Sequence, residues 1–192
     1  MGAGNDSKTF TDATYSKLIV ELDSALTKTD VCKLKYLCLD KTIGLRYEEF
    51  DEISSFIELV SRLEGMKKVS KMNLNLLEEL LGNIGEIEMA CRVERYLQKK
   101  AMPIISRYRR MLVDIASNID KEQVNELKNL LKSYMPRKHI KRINNSFELF
   151  IELEHLDFIS ENNVNLIGSI GDLLNDMYIT IAIIAYGGSR CW

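Results

Sequence analysis

The chain repeats itself, and the repeat limits what it can fold into. The stretch YSKLIVELDSALTKTDVCKLKYL, starting at Tyr15, aligns without a gap with YRRMLVDIASNIDKEQVNELKNL, which starts 93 positions later at Tyr108. Tyr, Val, Ser, Lys, Val, Leu, Lys and Leu recur in place, and most other matches set apolar against apolar. The string FIEL at Phe56 returns at Phe150, an offset of 94, and NLNLL at Asn73 matches NVNLI at Asn163, an offset of 90. The order is kept and the offsets drift by a few loop residues. A chance four-letter match does not extend this way. We read two copies, residues 15–97 and 106–186. This is a duplication, not a solenoid, which needs about three or more stacked repeats.

The copies read as helical. In the first, Tyr15, Leu18, Ile19, Leu22 and Leu26 fall on one stripe at helical spacing. Thr29-Asp30 offers an N-cap for the next stripe, Val31, Leu34, Leu37 and Cys38. IGLRYEEFDE holds a shorter helix. Phe56, Leu59, Val60 and Leu63 make another, stopped by Gly65. Leu74, Leu77, Leu80 and Leu81 follow, then Gly82 and Gly85. Residues 86–97 make the last, with Ile87, Ala90, Val93 and Leu97 on one face. The second copy follows suit with one conflict: YITIAII is β-branched and reads as a strand by propensity, whereas its place in the repeat says helix. We follow the repeat.

Composition agrees. The 46% hydrophobic and 28% charged residues, with 10 Gly and 2 Pro, describe a globular, helix-compatible chain rather than a disordered or collagen-like one. Two domains of this size bury less of their surface than one larger domain and gain from packing on each other. The junction QKKAMPIIS is short and not Gly/Ser-rich, and Pro103 stiffens it, so the copies are expected to be held close.

The formal charge is −2, with 26 basic and 28 acidic residues, and no global basic field argues for nucleic acid. Lys132, Arg137, Lys138, Lys141 and Arg142 cluster locally and read first as a solvated loop, then as a partner-docking patch, and last as an RNA site. None of Cys32, Cys38, Cys91 and Cys191 forms CxxC, and no His sits at zinc-ligand spacing. The first three lie in helical apolar patterns and read as core or near-core thiols of a reduced, cytoplasmic protein. The start MGAGNDS has Asp6 where a myristoylation pattern wants Ser or Thr. The run MYITIAIIAY is about half of the roughly 20 residues a membrane-spanning helix needs, and reads as a buried element.

No nucleophile, zinc or phosphate-binding motif occurs. His139 and His155 read as surface or capping residues, and Glu48-Glu49 and Glu78-Glu79 as neighbours on solvated helix faces. The chain is read as non-enzymatic, without catalytic residues, cofactor or metal.

LTKTDVCKLKYLCLD (26–40) resembles the second helix of death effector domains, with their L-K-F-L-C-L stretch. FIELVSRLE and LNLLEELLGNI resemble that domain's fourth and fifth helices. In the second copy, ISRYRRMLVDIASNIDKEQVNELKNLLKSYM and SFELFIELEHLDFI resemble the second such domain of the FLICE-inhibitory protein and initiator caspase prodomain family. The resemblance implies an all-α fold of two six-helix death-fold bundles packed as a rigid tandem. The expected layout is a tail over 1–13, domains over 14–98 and 104–187, and a tail over 188–192. It also implies assembly with a Fas-associated adaptor and initiator procaspases, with self-association a further option. No protease domain is expected beyond Trp192, and with that the expectation is a regulator of death-receptor apoptosis, inhibitory in sign. The alternatives are a caspase prodomain or a survival or inflammatory signalling scaffold.

The resemblance also implies where binding sits. At the family's Phe-Leu position on the second helix the first copy has Tyr36-Leu37 and the second Asn129-Leu130. Tyr36 is either an exposed aromatic anchor or buried, in its bundle or against the second copy; the sequence leaves both open. The family's charge triad is an acidic residue opening the second helix and R-x-D-L in the sixth. Here Asp30 is present, but Glu86-Ile87-Glu88-Met89 replaces R-x-D-L. Asp30, Glu86 and Glu88 then form an acidic patch if the fold gathers them, favouring a basic partner or opposing self-assembly. Drift on a solvated face is the other reading.

Overall fold

The protein is described by a computed structural model covering residues 11–97 and 101–187. The start MGAGNDS and Cys191 lie outside these residues. Among the described residues twelve helices run in chain order: α1 Asp12–Ala25, α2 Lys28–Cys38, α3 Tyr47–Glu52, α4 Phe56–Gly65, α5 Asn75–Asn83, α6 Ile87–Glu94, α7 Arg107–Asn118, α8 Lys121–Leu131, α9 Arg137–Arg142, α10 Ser146–His155, α11 Asn165–Leu173 and α12 Met177–Gly187.

These residues pack as two compact units. The first holds the chain up to Lys35 together with Glu48–Ile104. The second holds Tyr36–Tyr47 together with the chain from Ile105 on. The division cuts α2, so packing and repeat boundaries do not coincide.

Inside the first unit α1 packs on α4 and α5 on α6. Leu18, Leu22, Leu34, Phe56, Leu59, Leu63, Leu77, Leu80 and Val93 fill its core. Each such side chain contributes roughly 1.5–3 kcal/mol on full burial. Lys35 reaches the end of α3, where its ammonium donates to the carbonyls of Phe50 (2.6 Å) and Ile53 (2.7 Å). Those carbonyls have no partner within their own helix. In the second unit, Lys128 does the same for the carbonyl of Ile143. There α7 packs on α10 and α12, and α11 on α12.

The caps fix the register between copies. The α4 cap is Ser55, which accepts the Glu58 amide, and Glu58 in turn accepts the Ser55 amide. The α10 cap is Asn145, which accepts the Glu148 amide. The equivalent caps are therefore 90 positions apart, not 94. Phe56 corresponds to Ser146, and the FIEL strings lie in one helix but one turn out of step. The same offset of 90 relates the short bridges Ser70↔Asn73 and Ser160↔Asn163. It also relates two left-handed residues, Lys67 (φ 59°) and Asp157 (φ 55°).

Several expectations change. The α2 cap is Thr27, not Thr29-Asp30: the Thr27 hydroxyl accepts the Asp30 amide, and the Asp30 carboxylate accepts the Thr27 amide and hydroxyl. Gly65 is the last helical residue of α4 and does not stop it; the chain turns at left-handed Lys67. The stretch YITIAII is helical as the repeat requires, because strand propensity yields to packing. Yet α12 is not a buried element, since Ile179 and Tyr186 are inside while Met177, Tyr178, Ile181 and Ile184 are exposed. Cys38 is buried and Cys32 half-buried, but Cys91 is exposed.

Candidate functional site

Tyr36 and Leu37 have no exposed surface. Tyr36 meets Phe147 edge to face with centroids 5.4 Å apart. The Arg109 guanidinium lies 4.7 Å over its ring, a cation–π arrangement. Its phenol donates to Glu154 at 3.3 Å. All four residues belong to the second unit. Arg109 grips Glu154 with both terminal nitrogens, at 2.9 and 3.0 Å. Burial pushes the Tyr36 phenol up and Glu154 adds to this, with Arg109 opposing. Burial works against the Arg109 charge, but Tyr36 and Glu154 outweigh it and hold the guanidinium protonated.

A second knot lies beside it. Asp40 accepts the Ser106 amide at 2.8 Å and the Thr42 amide and hydroxyl at 2.9 and 2.6 Å. Burial opposes the Asp40 charge, yet these hydrogen bonds prevail and hold its carboxyl below the ordinary value. Tyr36-Leu37 is thus a closed structural contact, and the buried alternative of the sequence reading holds. Sequence reasoning missed Arg109. Its signal was available, because Arg109 shares a helix face with the apolar Leu112, Val113 and Ala116.

Leu130 lies differently. It lines an apolar groove of about 590 Å³ between α8 and α11, with Leu127, Leu131, Tyr134, Phe158, Leu166, Ser169, Ile170 and Leu173. Leu130 is 45% exposed, Leu173 49% and Tyr134 76%. Asp120 and Gln123 form the capping box that starts α8. Asp157, in its left-handed turn, sends the chain back so that Phe158 reaches the groove. An aromatic absent at Asn129 is supplied by Tyr134. The sequence reading missed Tyr134 and the α11 wall, because packing and not helix period brings them to Leu130.

Asp30, Glu86 and Glu88 take local roles. Asp30 closes the α2 capping box, Glu86 occupies the N-cap position of α6 with no cap bond from its side chain, and Glu88 pairs with Arg92 one turn on at 3.0 Å. Glu49 is not on a solvated face: it is buried and meets Arg62 at 3.0 Å. Glu79 accepts the Ile104 amide. His139 is mostly buried against Glu152, a correction to its surface reading, while His155 ends α10, exposed and stacked on Tyr47. The basic cluster is solvent-exposed, but four of its members lie on α9 rather than in a loop. Among the described residues no helix is long and apolar enough to cross a membrane.

Comparison with known proteins adds to this geometry. The family model described as "Death effector domain" matches residues 15–99 and 108–177. Rat caspase-8 is 26% identical over 164 residues, covering 81% of this chain and 33% of the relative. Mouse caspase-8 is 25% identical over 169 residues, covering 84% and 35%. The mouse protein "CASP8 and FADD-like apoptosis regulator" is 32% identical over 84 residues, covering 44% of this chain and 17% of that protein. The chain spans about a third of the length of the caspase-8 relatives.

Proposed function

The chain belongs to the death effector domain family, and from that premise we propose that it regulates death-receptor apoptosis by homotypic helical docking onto a Fas-associated adaptor and initiator procaspases. Its sign is inhibitory: it occupies their death effector surfaces so that protease domains are not brought together. The observation that carries this is the apolar groove at Leu130, Tyr134 and Leu173. An exposed aromatic and two leucines on a concave surface make a docking pocket of the hot-spot type. The groove sits on the second helix of the second copy. Because Tyr36-Leu37 is closed, docking through this patch is assigned to Leu130.

The test is a binding titration of the chain against the isolated death effector domain of the adaptor and against procaspase-8, with Leu130→Asp alongside. Wild type binds, and Leu130→Asp weakens binding at least about tenfold, or roughly 1.4 kcal/mol. Wild type binding neither partner refutes the proposal. A second reading, the prodomain of an initiator caspase, is favoured by the caspase-8 matches, which run over both copies. A protease domain encoded downstream in the full transcript decides for it.

A further inference from the structure

We propose that two copies of this chain associate through the α7–α12 face of the second unit, around a two-fold axis. Three observations carry the inference. First, α12 presents an apolar stripe to solvent: Met177, Tyr178, Ile181 and Ile184, with Ile181 57% and Ile184 66% exposed. Apolar stripes of this kind mark contact surfaces.

Second, the fold does not need that stripe. At the offset of 90, Tyr178, Ile181 and Ile184 correspond to Glu88, Cys91 and Glu94 of α6, and Ala185 to Arg95 just past its end. Those four are also exposed. Three of the four positions are therefore charged in the first copy, where the second places tyrosine, isoleucine and alanine, while the helix start is apolar and exposed in both, at Ile87 and Met177.

Third, the rim is self-complementary. Arg107, Met111 and Asp114 of α7 line one groove with Tyr178, Ile181 and Ala185. Arg107 and Asp114 are both exposed and stand two helical turns apart, about 10 Å. Met111 between them is buried, so the exposed apolar middle of the face comes from Tyr178 and Ile181 of α12. In a two-fold contact each surface meets its own copy reversed. Arg107 then meets Asp114 of the other copy, twice, and the apolar middles close on each other. Partial burial already pushes the Asp114 carboxyl up, a burden that a facing guanidinium relieves. This face is separate from the Leu130 groove.

Sedimentation velocity of the full chain across a concentration series tests the proposal. Wild type forms a dimer. Ile184→Glu, which copies the solvated Glu94, raises the dissociation constant at least about tenfold without changing helical circular dichroism. Arg107→Asp and Asp114→Arg each weaken the dimer, and the double reversal restores it. Leu130→Asp leaves it intact. A chain still monomeric at about 100 μM, a dimer indifferent to Ile184→Glu, or a double reversal that fails to rescue, overturns the proposal.

Discussion

Arg109 and Glu154 form a two-pronged ion pair, 2.9 and 3.0 Å, with side chains only 5% and 9% exposed. The pair lies under Tyr36, whose ring covers the guanidinium. Geometry of this kind suits Arg and not Lys, because two parallel N–H donors meet two carboxylate oxygens. Removing one partner strands a buried charge. Glu154→Ala is therefore expected to destabilise the second unit by about 3–5 kcal/mol. Replacing both, Arg109→Met with Glu154→Leu, costs far less. Denaturant unfolding of the three variants measures the difference.

The depressed Asp40 carboxyl gives a pH dependence. A carboxyl whose value falls on folding adds stability that is complete above its unfolded value and is lost as pH drops through the folded one. Asp40→Asn is expected to be less stable than wild type at pH 7. The gap narrows as pH falls below the ordinary value of 3.8. Thermal melts of both proteins between neutral pH and about pH 3 check the direction.

Lys35 and Lys128 are the same residue in two copies, and each closes the carbonyls of a neighbouring turn. Charge-assisted hydrogen bonds of this sort contribute about 1.5–3 kcal/mol. Lys35→Met keeps the apolar stem and removes the donors. It is expected to lower unfolding stability by about 2 kcal/mol, with a parallel loss for Lys128→Met. Hydrogen exchange at α3 locates the effect.

Lys67 and Asp157 hold left-handed backbone at the turn after α4 and α10. That conformation costs a non-glycine residue about 1 kcal/mol. Lys67→Gly and Asp157→Gly are therefore expected to raise stability slightly, by less than this figure because glycine loses more entropy on folding. Melting temperatures decide it; a drop in both refutes the assignment.

Much of the fold was legible in the sequence because helical periodicity and order were repeated. Periodicity also misled. A slip of four residues turns a helix by about 400°, which leaves a side chain only about 40° from its starting face. FIEL could therefore match FIEL one turn out of step while both kept Phe and Leu inside. Caps carried the true register, because Ser55 and Asn145 each sit three residues before a glutamate. Tyr36 was not legible. It lies off the stripe of Leu34, Leu37 and Cys38, and its hydrogen-bond partner Glu154 is 118 positions away. No local pattern encodes such a contact. Leu130 was named from resemblance, but its groove is built by α11 and the turn at Phe158, which only the folded chain brings together.

The most direct test of the account is procaspase-8 cleavage in cells co-expressing this chain with a death receptor. Cleavage is expected to be suppressed, and Leu130→Asp, folded by circular dichroism, to lose most of the suppression. Enhanced cleavage, or suppression unchanged by Leu130→Asp, would contradict it.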